Sequence, residues 1–123
     1  MAESVISVST YDAANDSFYI NSGRGFSREG RVKPDLAAPG VGIPTLRGQQ
    51  TGSSLAAAVA TGAVAQFLQW AVVENNDDAV SGREVKNYFI RGAARDSDLF
   101  YPNREWGYGR LDIMGVFDNL VGI

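Results

Sequence analysis

The chain contains no histidine and no cysteine. The missing cysteines exclude a disulfide framework, a thiolate metal site and a cysteine nucleophile. They fit a reducing or an oxidising compartment equally, so location stays open. The missing histidines remove the usual general base, and a serine nucleophile in this chain must take its proton acceptor from elsewhere. An excess of positive charge is also lacking. Eleven basic residues stand against fourteen acidic ones, a net charge of −3, which offers no attraction to nucleic acid or an anionic membrane. Met1-Ala2-Glu3-Ser4 has no basic n-region, and the apolar residues that follow are too few for a signal peptide. What is present is 123 residues, 45% hydrophobic and 20% charged. That composition suits a globular chain able to bury a core.

Strand signals come first and helix signals later. Ser4-Val5-Ile6-Ser7-Val8-Ser9-Thr10 is β-branched and reads as a strand. Phe18-Tyr19-Ile20 reads as a second, reached through the turn-rich Asp12–Asp16. A glycine-rich loop follows from Ser22 to Gly30. Leu36-Ala37-Ala38 and Val41-Gly42-Ile43 read as short extended pieces between Pro34, Pro39, Gly40 and Pro44. A charge-free run from Leu55 to Val73 is long enough to span a bilayer. Its alanines, Thr61, Gln66 and Gln69 favour a buried helix over about residues 54–73 instead, ended by Asn75-Asn76-Asp77-Asp78. Ser81-Gly82-Arg83-Glu84 has capping-box spacing and opens a helix to about Gly92, with Val85, Tyr88, Phe89 and Ala93 on one face. Trp106-Gly107-Tyr108-Gly109 reads as an aromatic turn, and Asp112 as the cap of a final helix carrying Ile113, Val116, Phe117 and Leu120.

The segment with most chemical content is Thr51-Gly52-Ser53-Ser54-Leu55-Ala56-Ala57-Ala58-Val59-Ala60-Thr61-Gly62. A polar turn that runs into a small-residue helix puts a serine hydroxyl at a helix N-terminus, where nucleophile and oxyanion donors can be built together. Gly52 permits a sharp turn, and Ala56, Ala57 and Ala60 permit close approach to a sheet. Taken alone, Ser53 or Ser54 is equally explained as an N-cap. Weaker signals have plain readings. Arg24, Arg28, Arg31 and Lys33, interrupted by Glu29 and Asp35, read as a solvated loop. Asp77-Asp78 and Asp96-Ser97-Asp98 lack EF-hand spacing and read as loop or cap residues. Phe100, Tyr101, Trp106 and Tyr108 read as a packed aromatic corner.

The Ser54 segment resembles the nucleophile motif of subtilisin-like serine peptidases, Gly-Thr-Ser-Met-Ala-(Ala/Ser)-Pro-His-Val-Ala-Gly. Lys33-Pro34-Asp35-Leu36-Ala37-Ala38-Pro39-Gly40-Val41 is similar to that family's Lys-Pro-Asp-(Leu/Ile)-Ala-Ala-Pro-Gly segment. Trp106-Gly107-Tyr108-Gly109-Arg110-Leu111-Asp112-Ile113 resembles its Gly-Tyr-Gly signature near the C-terminus. Val5-Ile6-Ser7-Val8 stands where the family has a Val-Ile-x-Val strand. The three motifs keep the family's order and spacing from about Ser4 to Leu120. Tyr101-Pro102-Asn103-Arg104-Glu105-Trp106-Gly107 is closest in character to clostridial and related bacterial subtilases.

The resemblance implies a three-layer α/β fold with a mainly parallel sheet, of which residues 1–123 would be the C-terminal, nucleophile-bearing part. It implies a serine endopeptidase with Ser54 as the acyl-forming nucleophile and Ser53 and Gly52 as oxyanion support. Ser53 stands for the usual Thr and keeps a hydroxyl. Leu55 replaces a Met at similar volume, removing an oxidisable sulfur. Ala58 and Val59 replace a Pro-His pair whose histidine is structural in the family. The family's catalytic Asp and His and its oxyanion Asn precede the strand at Val5, so the isolated chain is expected to be inactive, and Met1-Ala2 resembles an artificial start. The substrate would be a protein or peptide, with no cofactor and no metal called for by these residues; the resemblance leaves room for structural calcium in the parent, which this sequence does not show. Cutting such a domain would expose a sheet edge or helix face, so the isolated chain is expected to self-associate. The alternative is a non-catalytic homologue acting as scaffold or regulator, prompted by the departures at Ser53, Ala58 and Val59.

Overall fold

The computed structural model describes residues 5–25, 32–77 and 79–121. Ser4, Arg28, Glu29, Gly30, Arg31 and Asp78, used in the expectations above, lie outside the described residues, as does the opening Met1-Ala2.

The first strand, β1, is Val8–Asp12 and starts later than its β-branched sequence suggests. The Ser7 N–H is diverted to the Asp35 carboxylate at 2.9 Å, and the Ser7 carbonyl accepts from the Asp35 and Leu36 amides. Strand β2 is only Ser17–Phe18, antiparallel to Tyr11 and Asp12. Tyr19 adds one bond to the Thr10 carbonyl, and Ile20 then turns out to solvent. Strand β3, Leu36–Pro39, pairs in parallel with β1, placing Val8 opposite Leu36 and Thr10 opposite Ala38. The sheet order is β2-β1-β3. The far edge of β3 is closed by Gly109 and Leu111, which bond both backbone groups of Ala37. A separate hairpin, β4 (Ile43–Thr45) with β5 (Gly48–Gln50), leads directly into the Ser54 segment. Strand β5 has no apolar residue, so no hydrophobic alternation announced it.

Helix α1 is Ser53–Leu68. Its buried positions Ala56, Ala60, Ala63 and Phe67 form one stripe at helical spacing, and the helix lies on β1 and β3. Alanine at 38, 56 and 60 brings the helix backbone close to the sheet. The expected uninterrupted helix instead widens into a π-helical turn, Gln69–Val73, closed by Glu74 N–H to the Gln69 carbonyl at 3.0 Å. Burial of this helix is also narrower than its charge-free sequence suggests. Ala57, Ala58, Thr61, Gly62, Ala65 and Leu68 are exposed, because the described residues cover one side of α1 only. The segment Ser53–Val73 is long and apolar enough to cross a membrane by length and composition.

Helix α2, Gly82–Arg91, carries the full capping box: Ser81 Oγ accepts from Glu84 N–H, and Glu84 accepts from Ser81 N–H. Helix α3, Ile113–Val121, starts at Asp112, whose carboxylate accepts from Gly115 N–H at 3.0 Å. Phe67 is the hub of the core, packed against Trp70, Tyr88, Phe89 and Phe117, so α1, α2 and α3 share one layer. On β1, Ser9 and Tyr11 face the other way, where Ser9 Oγ donates to the Glu105 carbonyl and Tyr11 packs on Trp106. The result is a mixed α/β arrangement with a parallel β1–β3 pair.

Candidate active site

Ser54 is the second residue of α1, and it is exposed. The N-cap is Gly52, and among the described residues no side chain caps the first-turn amides. Neither Ser53 nor Ser54 is therefore the helix cap that its residue type also suggested. The Gly52 carbonyl accepts from the Leu55 and Ala56 N–H groups at 3.1 and 3.3 Å. The Ser53 and Ser54 amides belong to the set a helix leaves for an outside acceptor. No acidic residue stands in the first turn, so the positive end of the helix dipole is not neutralised there. The arrangement offers an exposed hydroxyl beside unneutralised donors, which is what an oxyanion-forming reaction needs.

The turn into α1 is held from two directions. Gly52 N–H donates to the Gly40 carbonyl at 2.8 Å, and Gly42 N–H donates to Thr51 Oγ1 at 2.9 Å. Gly52 itself is extended, with φ 160° and ψ 163°, so it is not a sharply turning glycine. A Cβ at residue 52 would meet only Ser54 Oγ, at 3.9 Å; the missing side chain leaves space open next to the hydroxyl. Ser53 lies on an open groove of about 700 Å³, which runs along α1 past Ala57, Thr61 and Leu68 and is floored by Val8 and Val85. A second hollow of about 410 Å³ flanks the helix on its other side, at Pro39, Gly62 and Leu111.

The other motifs build the frame of this turn. Asp35 is 1% exposed. Besides Ser7 it takes Lys33 Nζ at 2.8 Å and Lys86 Nζ at 3.4 Å, joining the strand approach, the β3 entry and α2. Tyr108 N–H donates to the Asp35 carbonyl at 2.8 Å. Gly107 has φ +57°, and a Cβ there would strike the Pro34 and Asp35 carbonyls. The Gly-Tyr-Gly signature is thus where the late chain crosses the Lys-Pro-Asp segment with no room for a side chain.

The aromatic corner is drawn differently from its sequence. Trp106 packs on Tyr11 and Phe18, the Tyr101 hydroxyl accepts from Asp96 N–H, and Phe100 is 93% exposed. Burial, opposed by Arg110 and aided by Asp16 and Asp112, raises the Tyr11 hydroxyl above its ordinary pKa. Burial would lower the Arg110 guanidinium, but its bonds to the Asp96 carboxylate at 3.0 and 3.1 Å outweigh this and raise it. Asp96 is thereby committed to Arg110, and among the described residues no acidic group of three or more is placed to hold a metal ion. Of the basic loop, Arg24 lies over the Phe18 ring and near Glu105, and Lys33 is paired with Asp35.

The Clostridium perfringens CspB protease superposes with a TM-score of 0.88 at 36% identity, over 95% of this chain and 26% of that one. The patellamide maturation protease PatA shares the fold, with a TM-score of 0.73 at 23% identity over 97% of this chain and 44% of its own. An uncharacterized protein of Aquifex aeolicus is 30% identical over 113 residues, covering 77% of this chain and 48% of its own length. The chain therefore spans about half of that relative and about a quarter of the CspB chain. Residues 1–109 match the sequence model of the subtilase family, peptidase S8. The chain belongs to the subtilase family of peptidases.

Proposed function

We propose that this chain is the C-terminal, nucleophile-bearing part of a subtilisin-like serine endopeptidase domain, with Ser54 as the residue that is acylated. The observation that carries the reading is Ser54 itself: exposed, free of any capping role, and beside the donor end of α1. In the complete site a histidine from outside these residues accepts the Ser54 proton as Oγ attacks the scissile carbonyl. The oxyanion that forms accepts from the Ser54 N–H, with Ser53 beside it and the open side of Gly52 leaving room. Collapse of the intermediate passes the proton from the histidine to the departing amine and leaves an acyl-Ser54; water, giving its proton to the same histidine, then attacks the acyl carbon, and Ser54 Oγ regains a proton as the acid departs.

The chain alone carries no imidazole and is expected not to hydrolyse peptides by this route. Joined to the segment that brings the histidine and aspartate, it is expected to cleave a peptide substrate and to be labelled by a fluorophosphonate. Ser54→Ala abolishes both. An intact domain that binds peptides but takes no label would favour the scaffold or regulator reading instead. On its own the chain is proposed to self-associate through the exposed face of α1.

A further inference from the structure

The turn before Ser54 is anchored by residues outside the nucleophile motif. We propose that Gly40, acting with the Thr51 hydroxyl, positions Ser54 for acyl transfer; the inference rests on Ser54 being the nucleophile. Gly40 stands just after β3 and is bonded on both sides. Its N–H donates to the Tyr11 carbonyl at 3.1 Å, and its carbonyl accepts from Gly52 N–H at 2.8 Å. One residue therefore ties the central strand to the start of α1. Two residues further on, Gly42 N–H reaches Thr51 Oγ1 at 2.9 Å and adds a second tie to the same turn.

Gly40 admits no side chain. A Cβ there would stand 2.6 Å from Thr10 Cγ2, 2.8 Å from the Gly52 carbonyl oxygen and 3.1 Å from Ala56 Cβ. Thr10 and Ala56 are fully buried, so the atom freest to yield is the Gly52 oxygen. That oxygen accepts from Leu55 and Ala56 N–H, so moving it moves the first turn of α1, the Ser54 hydroxyl and its amide together. A displacement on the order of 1 Å at a reacting atom costs on the order of a hundredfold in rate. Thr51 is the gentler lever on the same turn, because it is exposed and only its hydroxyl makes the tie.

The test uses the whole peptidase domain and compares Gly40→Ala, Thr51→Val and Thr51→Ser, with kcat and KM measured on one peptide substrate. Thr51→Val is expected to lower kcat by about tenfold, a fraction of the full misplacement effect, while KM and the thermal midpoint stay near the unmutated values. Thr51→Ser restores kcat, and Gly40→Ala loses more than Thr51→Val. In the 123-residue chain, hydrogen exchange of the Gly42 amide quickens in Thr51→Val and not in Thr51→Ser. Because Gly40→Ala can fail to fold, the threonine pair carries the decision. An unchanged kcat in Thr51→Val overturns the proposal, and so does a loss that Thr51→Ser does not restore. An unmutated domain with no turnover, or a Ser54→Ala domain as active as the unmutated one, removes the nucleophile reading and this inference with it.

Discussion

At the scale of single residues, two positions on β1 set measurable properties of the fold. Thr10 is fully buried, and its Oγ1 has no hydrogen-bond partner among the described residues. Its methyl packs where a Gly40 side chain would otherwise go. A buried hydroxyl without a partner costs about 1–3 kcal/mol, so Thr10→Val, which keeps the branched shape, is expected to raise stability by about 1 kcal/mol. Thr10→Ala also removes the hydroxyl but opens a void, and is expected to lower stability. Urea midpoints at one fixed protein concentration separate the two, and a destabilised Thr10→Val would refute the account. Tyr11, next along the strand, has its pKa raised above the ordinary 10.0, chiefly by burial. A group whose folded pKa is raised contributes stability that is complete below the unfolded value and lost as pH climbs through the folded one. Stability should therefore decline above about pH 10 as the buried phenol is forced to ionise. In an ultraviolet alkaline titration Tyr11→Phe should remove one late-ionising phenol and flatten that decline.

At the scale of elements, the local signals were legible and the long-range ones were not. The Ser81–Glu84 box and the Asp112 cap span three residues each, so sequence spacing alone places both partners. The parallel partner of β1, the Asp35–Ser7 bond and the Gly40–Gly52 bond join residues 12 to 28 positions apart, and no local pattern encodes such pairs. The Lys-Pro-Asp and Gly-Tyr-Gly motifs marked the right positions, while their common purpose became visible only when Gly107 was found against Pro34 and Asp35. Ser54 shows the same limit: its residue type fits a cap, and only the geometry of Gly52 removes that role. The Asp35 cluster yields an element-scale prediction. Its carboxylate is 2% exposed, against 14% and 17% for the Lys33 and Lys86 side chains. Removing one member of a buried ion pair typically costs about 3–5 kcal/mol. Asp35→Ala is expected in that range, and Asp35→Asn, which keeps an acceptor for the Ser7 amide, is expected to lose less. Equal losses for the two variants in chemical denaturation would show that the Ser7 bond contributes nothing separable.

At the scale of the whole molecule, the question is what the exposed side of α1 does when the chain is alone. The helix has 16 residues, so its face is about 24 Å long. A strip about 10 Å wide, contributed by each of two copies, buries roughly 500 Å² in total, below the roughly 1,200 Å² of stable specific interfaces. Helix contact alone therefore gives a weak dimer; a stronger one must also fill the two flanking hollows. Small residues at 57, 58, 61, 62 and 65 allow the close approach that would make this possible. Self-association should thus appear by light scattering at high micromolar concentration and fade on dilution. Ala57→Lys and Ala65→Glu each place a charge on the exposed face beside the larger hollow. Each should return the chain to a monomer while leaving the far-ultraviolet spectrum unchanged. A monomer at every accessible concentration refutes the docking of copies through α1. A dimer indifferent to both substitutions moves the contact elsewhere, with the sheet edge at β2 the next surface to charge. The same face is where the complementary part of a peptidase domain would pack, so adding that part should compete with the dimer. Ser54→Ala should leave both the dimer and this competition unchanged, because it removes the nucleophilic hydroxyl and leaves the apolar face intact.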